Sequence, residues 1–91
     1  MQSKSGVNRL WLRTVGADEK IIKERVFEWQ KEGMSAMVDL LRRVCEELDE
    51  PTPIVLKSHY QDLKNFNVTR FSARDFIESI YFEKMILELV K

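Results

Sequence analysis

The sequence predicts a mainly α fold: a small single-domain helical bundle of three to four helices, with an α+β fold containing a short strand pair as the alternative. Two observations carry this prediction. Apolar residues recur at helical spacing in several stretches, and glycine or proline separates those stretches. The length of 91 residues is that of one domain. We therefore expect residues 1–9 to be a flexible N-terminal arm and residues 10–91 a single small globular domain.

The strongest helical pattern covers residues 34–49, where apolar side chains recur every three or four positions and charged ones fill the gaps. Pro51 and Pro53 end this helix, because the residue before a proline is driven out of the helical conformation. The apolar positions are Met34, Met37, Val38, Leu41, Val44, Cys45 and Leu48. We expect the rest of the chain to cover this stripe, so Cys45 should be a buried and unreactive thiol.

A second helix is predicted over residues 18–32. Asp18 is typical of an N-cap, and Ile22, Val26 and Trp29 follow at helical spacing. Gly33 separates this segment from the central helix, which predicts a break or kink there. One long bent helix is the alternative.

Two further segments allow more than one interpretation. Thr52 followed by Pro53 is typical of a helix start, which favours a helix over residues 53–65, although a period of two from Ile54 to Tyr60 leaves a strand open. Residues 7–15 fit either a short strand or an extended arm.

The last helix is predicted over residues 73–90, because Ser72 and Asp75 resemble a capping box. The apolar residues that follow do not share one face. The segment is therefore expected to kink near residues 79–82, or to turn there and leave residues 82–90 as a terminal strand. Residues 68–71 before it are expected to be extended.

Composition argues against several classes of function. Fifteen basic and fifteen acidic residues give a formal net charge of zero, so nucleic-acid binding is unlikely. A single cysteine cannot form a disulfide within the chain. We see neither a signal peptide nor an apolar run long enough to cross a bilayer, so we expect a cytoplasmic protein without membrane contact.

No pattern of catalytic residues, metal ligands or cofactor-binding residues is present. Three glycines form no phosphate-binding loop, and one histidine with one cysteine cannot build a usual zinc site. His59 and Asp62 are spaced i,i+3, which we interpret as a surface histidine near a carboxylate. We therefore expect no enzymatic activity, no metal and no cofactor.

The aromatic residues of the C-terminal third suggest a contact surface. Most of the aromatic residues fall between Tyr60 and Phe82, and two arginines lie among them. Packing in the core is the simpler explanation, but some could remain exposed for a partner. The candidate partner-contact residues are Phe66, Arg70, Phe71, Arg74, Phe76, Tyr81 and Phe82.

Three functions follow, in descending order. The first is a small intracellular protein-interaction or regulatory domain that acts through apolar helix faces on a protein partner or, as a homodimer, on itself. The second is a helix-turn-helix-like nucleic-acid-binding module in residues 34–65, with Lys57, Ser58 and Gln61 facing outward. The third is a small ligand-binding or enzymatic domain around His59, which a deep pocket there would favour.

Overall fold

Four strands and two helices are formed by residues 8–30 and 33–90, which are the residues that the computed structural model describes. The strands are β1 (Asn8–Val15), β2 (Ile21–Trp29), β3 (Val68–Phe71) and β4 (Lys84–Val90), and the helices are α1 (Met34–Leu48) and α2 (Lys57–Phe66). The fold is therefore α+β, and the prediction of a mainly α helical bundle is wrong. The predicted arm covered residues 1–9, but Asn8 and Arg9 already belong to β1, and residues 1–7 lie outside the described residues.

The strands form one antiparallel sheet in the order β2-β1-β4-β3. β1 is the strand that joins the two ends of the chain. Its Leu12 lies opposite Arg25 of the following hairpin strand and opposite Leu87 of the last strand. A β-bulge shifts the register of β1 and β2 between Thr14 and Val15.

The hydrophobic core lies between one face of this sheet and the two helices. Alternate residues of a strand point to the same side, so Leu10 and Leu12 share a face with Met85 and Leu87. Helix α1 adds Met37, Leu41, Val44 and Cys45, helix α2 adds Leu63, and the remaining members of the cluster are Trp29, Phe71, Phe76 and Phe82. Both helices therefore lie on the same face of the sheet.

The helix predicted over residues 18–32 is wrong, because most of this segment forms β2. Ile22, Val26 and Trp29 have helical spacing, but Ile22 and Val26 are 44% and 50% exposed whereas Trp29 is 4% exposed. Their spacing therefore does not mark one buried face. The strand is stabilised by pairing with β1 along its whole length, an interaction that local spacing does not show.

The turn before β2 explains why Asp18 resembled a helix cap. Its carboxylate accepts a backbone hydrogen bond from Lys20 N–H at 3.1 Å, two residues further on. Aspartate stabilises turns in this way as readily as it caps helices. Gly16 and Lys20 close the same turn through a backbone hydrogen bond of 3.0 Å, and Glu19 adopts a positive φ of 66° within it.

The helix predicted over residues 73–90 is also wrong. Ser72 N–H donates to the Asp75 carboxylate at 2.8 Å, as the predicted capping box requires, but only one 3₁₀ turn follows, Ala73–Asp75. The alternative of a terminal strand over residues 82–90 agrees with β4.

β4 was hard to recognise because it is apolar on both faces. It lies between β1 and β3, and Met85, Ile86 and Leu87 are all buried. A continuous apolar run fits a helix and a doubly buried strand equally well.

Three other predictions of secondary structure are confirmed. Helix α1 agrees with the predicted range to one residue and begins directly after Gly33, whose φ of 109° few other residues adopt. Helix α2 has the predicted type but begins at Lys57, four residues later than expected. The extended stretch 68–71 is β3.

Among residues 8–30 and 33–90, neither helix has the length and apolar character needed to cross a membrane.

Candidate functional site

The aromatic side chains predicted to contact a partner are divided between the core and the surface. Phe71, Phe76 and Phe82 belong to the buried cluster, and the rings of Phe76 and Phe82 meet edge to face at 5.6 Å. Phe66 at the end of α2 and Tyr81 in the loop before β4 are exposed. Only these two therefore present an aromatic ring to a partner.

The predicted contact residues Arg70 and Arg74 line a cleft with a volume of about 380 Å³. His59 and Asp62, which the sequence analysis treated as a separate feature, line the same cleft. Lys84 completes it from the start of β4. Sequence reasoning missed Lys84, because only the pairing of β3 with β4 brings it near these residues.

His59 is held in one orientation within this cleft. Its Nδ1 accepts the Leu56 N–H at 2.9 Å, and its ring packs on Phe71 with 4.5 Å between the centroids. Because Nδ1 is an acceptor, the neutral ring carries its proton on Nε2. That nitrogen lies 3.6 Å from Asp75 Oδ2, so Asp75, rather than Asp62, is the carboxylate that faces it.

Ser72, Asp75 and His59 do not form a catalytic triad. Nucleophilic catalysis needs the histidine between the hydroxyl and the carboxylate. Here the carboxylate is in the middle: Asp75 Oδ2 faces His59 on one side and accepts from Ser72 Oγ at 3.4 Å on the other. The arrangement supplies no base for the serine.

A second candidate site lies along β2, where α1 runs beside the strand in the opposite direction. Near the start of β2, Lys23 Nζ donates to the Leu48 carbonyl at 2.8 Å, and Arg25 pairs with Glu47. Leu48 and Glu47 belong to the last turn of α1, whereas the first half of α1 lies near Trp29 at the end of β2. The strand and the helix flank thus enclose a groove.

The deepest part of this groove has a volume of about 320 Å³. Trp29 forms its wall on the strand side, and Ala36, Leu40 and Arg43 form its wall on the helix side. These three helix residues are spaced i, i+4 and i+7, so they lie on one flank of α1. The groove therefore combines an apolar centre with a basic side chain.

The face of the sheet opposite the helices carries charges that pair across strands. Trp11 Nε1 donates to Glu24 Oε1 at 2.9 Å, and Arg13 pairs with Glu88 at 3.0 Å. The Arg13 guanidinium also lies 3.8 Å from the centre of the Trp11 ring. Because acids neutralise bases on this face, it lacks the positive charge that a nucleic acid needs.

A buried carboxylate, Glu50, closes the end of α1. Its side chain is 1% exposed, and its Oε2 lies 3.4 Å from Lys23 Nζ and accepts a hydrogen bond from the Tyr81 hydroxyl. That hydrogen bond raises the pKa of Tyr81 to about 12. Burial raises the pKa of Cys45 to about 12, while a hydrogen bond with Thr52 opposes the increase.

The expected burial of Cys45 is confirmed, since the residue is 0% exposed on α1. A thiol with so high a pKa is protonated at neutral pH, so it is neither a nucleophile nor a metal ligand. Within residues 8–30 and 33–90, no three histidine, cysteine, aspartate or glutamate side chains are placed to bind one metal ion.

Comparison of the chain with known protein families, curated proteins and solved structures found no significant match. The groove and the cleft are therefore the basis for a functional proposal.

Proposed function

We propose that this chain is a small protein-interaction domain without catalytic activity, and that it binds an extended segment of another protein at the outer edge of β2. The observation that carries the proposal is the open edge of a nine-residue strand beside a helix. Within the described part of the chain, β2 pairs with β1 alone. An extended segment can bind such an edge as an additional strand.

Three residues of β2 offer their backbone groups to a partner. Lys23 N–H donates to Thr14 Oγ1 at 3.1 Å, so the backbone groups of Lys23 point toward β1. Backbone groups alternate in direction along a strand, so those of Glu24, Val26 and Glu28 point outward. A partner strand can pair with three donors and three acceptors there.

The groove beside the strand indicates the chemistry of the partner. An apolar side chain fits between Trp29, Ala36 and Leu40, and an acidic side chain fits near Arg43. This placement differs from the sequence-based hypothesis of apolar helix faces, because the apolar stripe of α1 is in the core. We therefore assign the contact to the strand edge and the flank of α1.

A second copy of the chain fits the edge less well than a different protein. Full antiparallel pairing of two β2 strands, with Ile21 opposite Trp29, places Arg25 opposite Arg25. Like charges directly opposite each other destabilise a strand pair. We therefore propose a monomer that binds another protein.

The helix-turn-helix alternative has less support. Lys57, Ser58 and Gln61 are exposed on α2, but Asp62 interrupts the basic residues of this helix. Eight residues, 49–56, separate α1 from α2 (56 − 49 + 1 = 8), whereas a helix-turn-helix uses a turn of about 3–4 residues. Salt-sensitive, micromolar binding of a duplex oligonucleotide would favour this alternative over ours.

The test uses peptides selected from a random library displayed on phage against the folded domain. We expect the selected peptides to contain an apolar and an acidic residue, and to bind the wild-type chain and Val26→Thr alike. Val26→Pro should abolish binding, because proline removes an outward N–H while leaving the hydrogen bonds to β1 in place.

Two controls separate loss of binding from loss of fold. Circular dichroism should show that both variants of Val26 remain folded, and sedimentation velocity should show a monomer. Peptides that bind Val26→Pro as tightly as wild type contradict strand addition at β2. A dimer that Val26→Pro dissociates would show that a second copy is the partner.

The proposal includes a cytoplasmic location. Its support is modest: the one cysteine of the sequence is a free, buried thiol, which needs no oxidising compartment. Immunoblotting of fractions from the source cell tests it, and recovery in a secreted fraction would contradict it.

A further inference from the structure

The cleft around His59 is a feature that the proposed strand contact does not use. It lies at the β3 edge, next to the first turn of α2, and so on the opposite side of the sheet from β2. Its volume of about 380 Å³ falls within the range of small-molecule sites, roughly 300–1,000 Å³. We propose that this cleft binds the phosphate group of a small phosphomonoester, independently of any partner at β2.

The first support is the supply of uncommitted positive charge. Arg70, Arg74 and Lys84 line the cleft, and neither arginine has an ion pair with another described residue. Lys84 lies 3.4 Å from Glu19, whose side chain is 71% exposed, and such surface pairs contribute little. All three cations are therefore available to an anion.

The second support is the number of hydrogen-bond donors that line the cleft. His59 is fixed with its Nε2–H outward from the Leu56 contact, and Ser58 and Ser72 add hydroxyl groups. Arginine guanidinium groups bind phosphate oxygens in pairs of parallel hydrogen bonds. A terminal phosphate, with three free oxygens, makes more use of these donors than a phosphodiester with two.

Two carboxylates oppose the anion, and they differ in strength. Asp75 already accepts the Ser72 N–H at 2.8 Å and faces His59, so part of its charge is compensated. Asp62 has no such partner among the described residues, although it lines the cleft. Three cations against two carboxylates leave a formal charge of +1 (3 − 2), so removal of Asp62 should strengthen phosphate binding.

Isothermal titration calorimetry with phenyl phosphate, inorganic phosphate and a dinucleotide phosphodiester tests the proposal. We expect phenyl phosphate to bind the wild-type chain at least as tightly as inorganic phosphate, and the phosphodiester to bind much more weakly. Arg70→Ala and Arg74→Ala should each weaken phenyl phosphate binding by at least about tenfold, as expected for one charged hydrogen bond. Asp62→Asn should strengthen it.

The matched control is Lys57→Ala, which removes one exposed positive charge on α2 outside the cleft. It should leave the affinity nearly unchanged, and Arg74→Lys should lie between wild type and Arg74→Ala because it keeps the charge without the paired donors. The proposal is overturned if phenyl phosphate does not bind, if the phosphodiester binds equally well, or if Lys57→Ala weakens binding as much as Arg74→Ala.

Discussion

Cys45 shows how far a single residue can be interpreted from the sequence. Its position on the apolar stripe of residues 34–49 predicted a buried and inert thiol, and the residue is 0% exposed. Local spacing sufficed because the stripe belongs to a helix whose partner surface is apolar. The neighbouring carboxylate of Glu50 was not foreseen, since its burial depends on Lys23 and Tyr81 from distant parts of the chain.

The reactivity of Cys45 gives the first prediction. Labelling of the native protein with a thiol reagent at neutral pH should be slow and should accelerate on unfolding, because both burial and the raised pKa disfavour the thiolate. Labelling of the native chain as fast as that of the unfolded chain would show that the stripe of α1 faces solvent.

Tyr81 gives a prediction of alkaline stability. Its hydroxyl donates to Glu50, and its pKa is about 12 in the folded chain against about 10 for an unperturbed tyrosine. A group whose pKa is higher in the folded state stabilises the fold below the unfolded pKa and loses that contribution as the pH rises through the folded value. The free energy of unfolding should therefore decline between about pH 10 and pH 12.

Denaturant titrations of the wild-type chain and Tyr81→Phe across this pH range measure the effect. The variant should be less stable than wild type at neutral pH and should lose less stability toward alkaline pH, since it lacks the hydroxyl. Identical pH profiles for the two chains would mean that the contact with Glu50 does not stabilise the fold.

At the scale of the elements, periodicity predicted those whose partners are simple. α1 has an apolar stripe against a sheet and charges toward water, so its boundaries agreed to one residue. β2 and β4 were mistaken for helices because neither alternates cleanly: β2 exposes Ile22 and Val26 at an edge, and β4 is buried on both faces. Pairing with a distant strand decides both, and a single sequence does not show which strands pair.

The packing of α1 gives the next prediction. Leu41 is fully buried in the centre of the cluster, so Leu41→Ala should lower the free energy of unfolding by about 2–5 kcal/mol, the usual range for a truncated core leucine. The adjacent Arg42→Ala is a matched control, and its exposed pair with Asp39 should matter by no more than about 0.5 kcal/mol. Equal losses in urea titrations would contradict the assigned core.

The candidate sites were predicted in part. The sequence pointed to His59, Arg70 and Arg74 separately, and the structure brings them into one cleft. It did not point to Asp75 or Lys84 as their neighbours, because these lie in segments that were predicted as helix. The groove along β2 was missed entirely, since a segment interpreted as a helix has no open strand edge.

At the scale of the whole molecule, the two ends of the described chain meet in the middle of the sheet. β1 and β4 are neighbours, so the sheet is complete only when both have folded, and β2 and β3 remain as its two edges. The proposed partner contact belongs to the β2 edge and the proposed phosphate site to the β3 edge. This separation predicts that ligands at the two edges bind without competition.

The most direct test of strand addition at β2 is amide hydrogen exchange, measured by nuclear magnetic resonance with and without a selected peptide. In the free chain, the amides of Glu24, Val26 and Glu28 should exchange fast, and those of Arg25 and Phe27 should be protected by β1. The peptide should slow exchange at the first three and leave the other two protected. Peptide binding without protection of Glu24, Val26 and Glu28, or with new protection confined to another part of the chain, would contradict the proposed function.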